Sequence, residues 1–407
     1  MRLLGLALLS VVAAGCGTST PAVAGRQATS SAVGSATPAD TVSAAPADTV
    51  SAAACSSAQA TPVGAGTLTG MEFVSAAQGW VVGQNTILAT SDGGAHWRAQ
   101  LTGDLNLNSV DFISGRDGWA VGTTSLLATT DGGARWTPLP EPCQTIRSVH
   151  FISPTTGFAV AGGRDLSGPP SPGVPYLGGV VLATSDGGRS WHPLTTPGNA
   201  QTVCFSDPVH GWLGADGMLY RTSDGGRTWT VLTSKAGQLG SDPASMTVEC
   251  ASEGAAWALS TGPGAAMSQE PHVGYHADQA GATPIFAEQY FRGPGTKPAA
   301  EAPGSYAGPY SALSPSAAVF VDFCVACGYG TAPWDVATDS GATLLREGNV
   351  GEVNDPQAAS FLSPALGWVA GLAYASETAS AKDQERIVAT TDGGRTWHVE
   401  WTGPWTG

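Results

Sequence analysis

Basic residues are scarce in this chain: 17 Lys and Arg stand against 32 Asp and Glu, leaving a formal charge of −15. A protein that grips nucleic acid neutralises phosphates with clustered cations, so no nucleic-acid partner is expected. Apart from residues 3–14, no apolar run approaches the roughly 20 residues needed to span a bilayer as a helix. No stretch sustains a 3.6-residue hydrophobic period, which argues against a helical core. A phosphate-binding G-x-x-x-x-G-K-[ST] loop, a dinucleotide fingerprint and an H-E-x-x-H pair are all missing. The 7 histidines, among them His96, His192 and His398, are not spaced as ligands, so neither a metal nor a cofactor is expected.

What the chain does have is one short motif, repeated. Residues 90–97 read T-S-D-G-G-A-H-W, and near copies occupy 129–136, 184–191, 222–229 and 390–397. An aspartate two residues after a threonine can accept backbone hydrogen bonds across a tight turn, with the hydroxyl joining the network. The two glycines supply positive φ, and the tryptophan opens the returning strand as a large apolar wedge. The motif therefore reads as a structural hairpin turn. Its residues are Asp92, Asp131, Asp186, Asp224 and Asp392 with Trp97, Trp136, Trp191, Trp229 and Trp397. Five separate catalytic sites built alike is the alternative, and recurrence argues against it.

A second motif precedes each turn: an apolar residue followed seven positions later by an aromatic, usually in G-W or G-F. The pairs are Phe73 with Trp80, Phe112 with Trp119, Phe151 with Phe158, Phe205 with Trp212, and Phe361 with Trp368. Cys250 with Trp257 and Leu313 with Phe320 extend the series to seven units. The two added units carry decayed turns, with Gln279 in place of the aspartate in one and Asp339 followed by Leu344 in place of tryptophan in the other. Equivalent positions at 92, 131, 186, 224, 279, 339 and 392 lie on average 50 residues apart, a spacing typical of propeller blades. Each unit accommodates four short strands; in the first these are 71–75, 80–83, 86–90 and 97–101. Four-stranded units close radially without leaving a long exposed edge, so the expected fold is all-β, a seven-bladed β-propeller over residues 66–407. An open solenoid would need polar capping units at its ends, and the last unit is instead one of the best copies.

The N-terminus carries one early cation, Arg2, then the apolar run 3–14, as an export signal over 1–15 would. It ends in A-A-G-C at 13–16, which resembles the lipobox of bacterial lipoproteins and makes Cys16 the expected lipidation site. Ala13 stands where that motif usually has a larger aliphatic residue, so ordinary signal cleavage is the alternative. Residues 16–65 are Ala, Ser, Thr, Pro and Gly with a tandem P-A-D-T-V-S-A-A, a composition that reads as a disordered tether. The expected location is extracytoplasmic, held to the membrane only by the lipid. Removing Cys16 leaves six of the 7 cysteines, an even number suited to an oxidising compartment. Spacing does not fix connectivity; Cys204 and Cys250 fall near equivalent places in successive units and are the expected pair, with Cys324 and Cys327 as a small structural bridge.

The turn motif resembles the Asp-box, or BNR repeat, of sialidases, sortilin-type receptors, xyloglucanase-like glycoside hydrolases and photosystem II assembly-factor propellers. The combined pattern F-x-(S/D)-x-x-x-G-W-x-V-G followed by the box is most similar to the assembly-factor type. That resemblance implies a non-enzymatic propeller that binds another protein; the chain is expected to be a monomer with a protein or glycan partner. A sialidase would need an arginine triad, but Arg135, Arg189, Arg227 and Arg395 all fall inside boxes, and the F/Y-R-I-P segment is absent.

In a propeller, loops between strands two and three and connections between blades open on the face opposite the boxes, and the long insertions should mark the working face. These are 162–179, 261–272, 286–310, 323–334 and 372–385. The candidate binding residues they carry are Arg164, Asp165, Tyr176, Glu270, His272, Glu288, Tyr290, Arg292, Tyr306, Tyr310, Trp334 and Asp335. Aromatics with scattered charges suit recognition of a protein or glycan at the cell envelope. A hydrolase using two of the carboxylates, such as Glu270, Glu288 or Asp335, is the competing expectation.

Overall fold

A computed structural model describes residues 68–404 apart from 163–178, 234–244, 252–253, 263–269, 288–299, 325–331, 375–382 and the single positions 124, 141, 143, 144, 279 and 303. The signal, Cys16 and tether expectations therefore lie outside the described residues. Seven sheets follow one another along the chain, at 68–102, 107–138, 146–193, 200–231, 245–301, 310–350 and 355–404, and are numbered here as blades 1 to 7. Each is an antiparallel meander; in blade 1 the strands are Leu68–Phe73, Gly79–Gly83, Thr86–Thr90 and Arg98–Thr102. The expected seven-bladed, all-β propeller is the fold found. Blade 5 departs from four strands, since Ala300–Glu301 adds a short parallel fifth beside Ala282–Ala287.

The second strand of each blade is the most deeply buried, as in Gly79–Gly83 and Gly118–Gly122, where every residue is inaccessible. Sheets with both faces covered need no polar alternation, which is why the strand pattern in the sequence is weak. The apolar core is divided into seven clusters, each lying at the seam between two consecutive blades, with blade 7 joined to blade 1. The ring is thus closed by side-chain packing, with each blade made from one continuous segment.

The F…G-W spacing has a steric cause. Phe73 pairs across the sheet with Gly79, and its ring lies so close that a Cβ at Gly79 would meet it at 2.5 Å. The same approach recurs between Phe112 and Gly118, Phe151 and Gly157, Phe205 and Gly211, and Phe361 and Gly367. Where the phenylalanine is replaced by a small residue the glycine is free to be alanine: Cys250 pairs with Ala256 in blade 5 and Ala312 with Ala318 in blade 6. The blade 6 pair corrects the sequence alignment by one residue. Leu313 and Phe320 are not the equivalents; a register shift between Ala312 and Ser314 moves the frame, and Phe320 turns to pack on Tyr310 and Phe286.

Candidate functional site

The five intact boxes share one geometry. In the first, the Thr90 hydroxyl donates to Asp92 Oδ1 at 2.9 Å, Gly94 N donates to the Thr90 oxygen at 2.9 Å, and His96 N donates to Asp92 Oδ1 at 2.9 Å. The equivalent bonds hold the boxes of Asp131, Asp186, Asp224 and Asp392. Gly93 and Gly94 adopt φ of 76° and 105°, the left-handed region where any side chain is strained. Hydrogen bonds stabilise the ionised carboxylates: chiefly those from His96 to Asp92, from Thr228 to Asp224 and from Thr396 to Asp392 hold each near a pKa of about 2. Asp339 sits at φ 53° in a 3-10 turn, Asp339–Gly341, and keeps of this network the bond from the hydroxyl four residues on, that of Thr343 at 3.3 Å.

Three of the boxes also anchor the neighbouring blade. Trp80 of blade 1 donates Nε1 to the carbonyl of Gly132 in the box of blade 2, Trp119 donates to Gly187 in blade 3, and Trp368 of blade 7 to Gly93 in blade 1. The same tryptophans stack on the phenylalanine of the next blade, Trp80 on Phe112 at 3.5 Å, Trp119 on Phe151 at 3.5 Å and Trp368 on Phe73 at 3.6 Å. The box tryptophan meets that phenylalanine edge-on, as Trp97 does Phe73 and Trp136 does Phe112; Trp191, Trp229 and Trp397 repeat it in blades 3, 4 and 7. The carboxylates are occupied by their own turns, so the boxes join blades and leave little to offer a ligand.

The strand order places the connections 162–179, 261–272, 323–334 and 372–385 between second and third strands, and 286–310 between blades 5 and 6. All five therefore leave the sheets at the end away from the boxes. Arg164, Asp165, Tyr176, Glu288, Tyr290 and Arg292 lie outside the described residues. Of the remaining candidates, four are not presented to solvent. Trp334 and Asp335 sit within the strand Ala332–Thr338, Tyr310 starts the strand Tyr310–Ser314, and His272 starts His272–Ala277, all buried. The third strands of blades 5 to 7 are longer than that of blade 1 and absorb the ends of the expected loops. Trp334 fills the seam to blade 7, ring centroid 5.9 Å from Phe361, because Val319 occupies the position that holds Trp80 in blade 1.

Glu270 and His272 meet at the blade 5–6 seam a residue the sequence did not single out, Asp322, while Tyr306 pairs with the next residue, Phe323. His272 Nε2 lies 3.0 Å from Asp322 Oδ2, its Nδ1 is 2.8 Å from the Glu270 carbonyl, and Gly304 N donates to Asp322 at 2.9 Å. Burial alone would lower the imidazole's pKa; the Asp322 carboxylate outweighs it, and the net shift is upward. Burial raises the Glu270 carboxyl, which accepts from Ala307 N at 3.3 Å. Both ring nitrogens of His272 are engaged, so the cluster acts as a clip between neighbouring connections. An aspartate closing an apolar run, as in A-A-V-F-V-D, carries no sequence signal for this.

The seven innermost strands enclose a central channel of about 530 Å3. One position recurs around it, the residue just before the inner-strand phenylalanine or its counterparts Cys250 and Ala312: Glu72, Asp111, His150, Cys204, Glu249, Ser311 and Ser360. Six of these reach the next blade. Asp111 accepts from Phe151 N at 2.6 Å, His150 Nε2 contacts the Phe205 carbonyl at 2.8 Å, Glu249 accepts from Ala312 N at 2.9 Å, Ser311 from Phe361 N at 3.1 Å and Ser360 from Phe73 N at 3.0 Å. At the blade 4–5 step the link is covalent: Cys204 and Cys250 form the expected disulfide, Cα to Cα 5.6 Å. Cys324 is also disulfide-bonded, and Cys327 lies outside the described residues. The belt escaped sequence reading because its members share a location and not a chemistry.

Comparison with known proteins follows the same lines. Residues 53–145 match the family model described as photosynthesis system II assembly factor YCF48, a match that takes in blades 1 and 2. No curated protein matches the chain. Among solved structures, the GH74 enzyme of Niastella koreensis is similar at a TM-score of 0.53 and 12% identity over 83% of this chain and 66% of that one. An ancestral GH74 enzyme gives 0.51 and 13% over 84% and 47%. YCF48 from Cyanidioschyzon merolae gives 0.44 and 18% over 72% and 84%. The chain spans less than two thirds of either GH74 enzyme, and at these identities the likeness is one of fold. The sequence resemblance to assembly-factor propellers and the Asp-box architecture are thus both present.

Proposed function

We propose that this Asp-box propeller is an exported, lipid-anchored scaffold that binds a protein or glycan partner through the face bearing its long connections, in the manner of an assembly factor. The observation that carries the reading is the division of labour between the two ends of the blades. All five long connections leave at one end, while at the other the recurring acids are consumed by their own turns and three of the box carbonyls by neighbouring tryptophans. The family match over blades 1 and 2 supports a protein partner. The test is capture from envelope extracts: shortening 286–310 abolishes it and Asp131→Ala leaves it intact. Capture that survives the shortening sinks the reading. Mass spectrometry of the mature N-terminus tests the anchor, and an unmodified terminus away from Cys16 overturns it.

A second reading, a carbohydrate hydrolase, is favoured by one observation: Glu270 has its carboxyl raised by burial at the loop-bearing end, as a general acid requires. Turnover of a fluorogenic glycoside that is lost in Glu270→Gln would replace the scaffold reading with this one.

A further inference from the structure

Both ring nitrogens of His272 face oxygen acceptors. Nδ1 lies 2.8 Å from the Glu270 backbone carbonyl, and Nε2 lies 3.0 Å from Asp322 Oδ2, which also accepts from Gly304 N at 2.9 Å. A neutral imidazole carries a single N–H, so it can donate to one of these oxygens and must turn a lone pair on the other. Only an imidazolium donates to both, and with Oδ2 already accepting from Gly304 the proton belongs on the ring. Bulk water offers no substitute, since the His272 and Asp322 side chains are 0% and 1% exposed and Asp322 Oδ1 has no donor among the described residues. A mismatched polar contact at that depth is costly, so the pair is built to hold one proton. Its contacts tie together the described ends of three of the five long connections. Glu270 N donates to Ser305 O at 2.7 Å and the Glu270 carboxyl accepts from Ala307 N at 3.3 Å, while Ser305 N and Tyr306 N donate to Phe323 O at 3.1 and 2.9 Å.

We propose that His272 and Asp322 form a proton-operated latch, which fastens these connection ends to one another while the imidazole is charged and loosens them when its proton leaves. The charged groups facing the ring are Asp322 from blade 6 and Glu270 from its own connection, and both favour the imidazolium. The other elements packed round it add no cation: Phe286 meets the ring edge to face with centroids 6.2 Å apart, Tyr306 turns onto Phe323, and Glu301 is exposed. Burial lowers the imidazole's pKa and the two acids more than restore it, so the latch contributes stability that is fully present below 6.5 and lost as the pH rises through the higher folded value. A latch at this end of the blades sets how the partner face is presented. That consequence rests on the reading above, whereas the latch itself is tested without any partner.

Ring nitrogen NMR shifts of the full chain labelled at histidine, with His272 assigned by His272→Gln, read the proton directly. Both His272 nitrogens should be protonated at pH 6.5, with a titration midpoint above that value. Hydrogen exchange supplies the second readout. Corrected for the intrinsic effect of pH, exchange at the amides of Gly304, Ser305, Tyr306 and Ala307 should rise about tenfold or more between pH 6 and pH 9, the loss of one charge-assisted hydrogen bond, while Gly118–Gly122 in blade 2 should hold steady. Asp322→Asn should remove that rise, because an amide can donate to a neutral Nε2 and keep the ends fastened without a proton. A single N–H on the ring at pH 6.5, or an equal rise in Asp322→Asn, overturns the proposal. If envelope capture fails while both readouts hold, the partner reading falls and the latch stands.

Discussion

A tryptophan on one blade and a glycine carbonyl on the next make the same contact at three seams, and the contact has two separable parts. Trp119→Phe keeps the stack on Phe151 and loses the hydrogen bond, at an expected cost of about 1 kcal/mol. Trp119→Ala empties the site and should cost about 3–5 kcal/mol, read by denaturant unfolding. Blade 3 already makes the milder change, since Phe158 stacks on Phe205 at 3.5 Å without a donor. Asp131→Ala should lower the thermal midpoint by releasing Thr129 and the Arg135 amide, and should reduce the loss of stability on acidification. The box residues were legible because their chemistry repeats letter for letter. Glu72, Asp111, His150, Cys204, Glu249, Ser311 and Ser360 were not, because only the backbone register makes them equivalent.

Among the blades, the fourth and fifth meet at the seam with the poorest non-covalent fittings. Trp212 has no acceptor for its Nε1, the following box has Gln279 for its aspartate, and Cys250 stands where a phenylalanine would stack. The disulfide lies at that seam and closes a separation of 46 residues. Loop-closure entropy puts its contribution at about 4 kcal/mol, so Cys250→Ser or reduction should lower the midpoint sharply, with hydrogen exchange rising first in Ala200–Phe205 and Ser245–Ala251. Equal protection in oxidised and reduced protein would contradict this. Equivalent places in successive units made Cys204 and Cys250 the preferred pair without fixing it, whereas the strand limits of blades 5 to 7 had no such signal. Longer third strands there drew His272, Trp334 and Asp335 into the sheets, Tyr310 opens the inner strand of blade 6, and a register shift displaced the blade 6 alignment by one residue.

For the molecule as a whole, two sets of carboxyls titrate in opposite senses. Box aspartates with pKa lowered to about 2 contribute stability above the unfolded value of 3.8 that is lost as pH falls through about 2. Glu249 and Glu385, pushed up to about 7 by burial, contribute stability below 4.5 that is lost as pH rises through about 7. A thermal midpoint highest near pH 4 to 5 is expected, falling on both sides, and Glu249→Gln should flatten the neutral limb. The fold was readable at this scale because seven copies of a pattern outvote the errors in any one of them. Ring closure was not, since nothing in a linear text says what the first blade touches. Among the described residues it is made by side chains of blade 7 on rings and backbone amides of blade 1: Trp368 stacks on Phe73, Leu68 N donates to Glu385 at 3.1 Å and Phe73 N to Ser360 at 3.0 Å. No strand is shared across that joint, so it works as a clasp. Tension drawn between residues 68 and 404 would be borne by the packed side chains of that joint and by the three hydrogen bonds across it before any sheet had to unzip, making the meeting of the two ends the mechanical fuse of the ring.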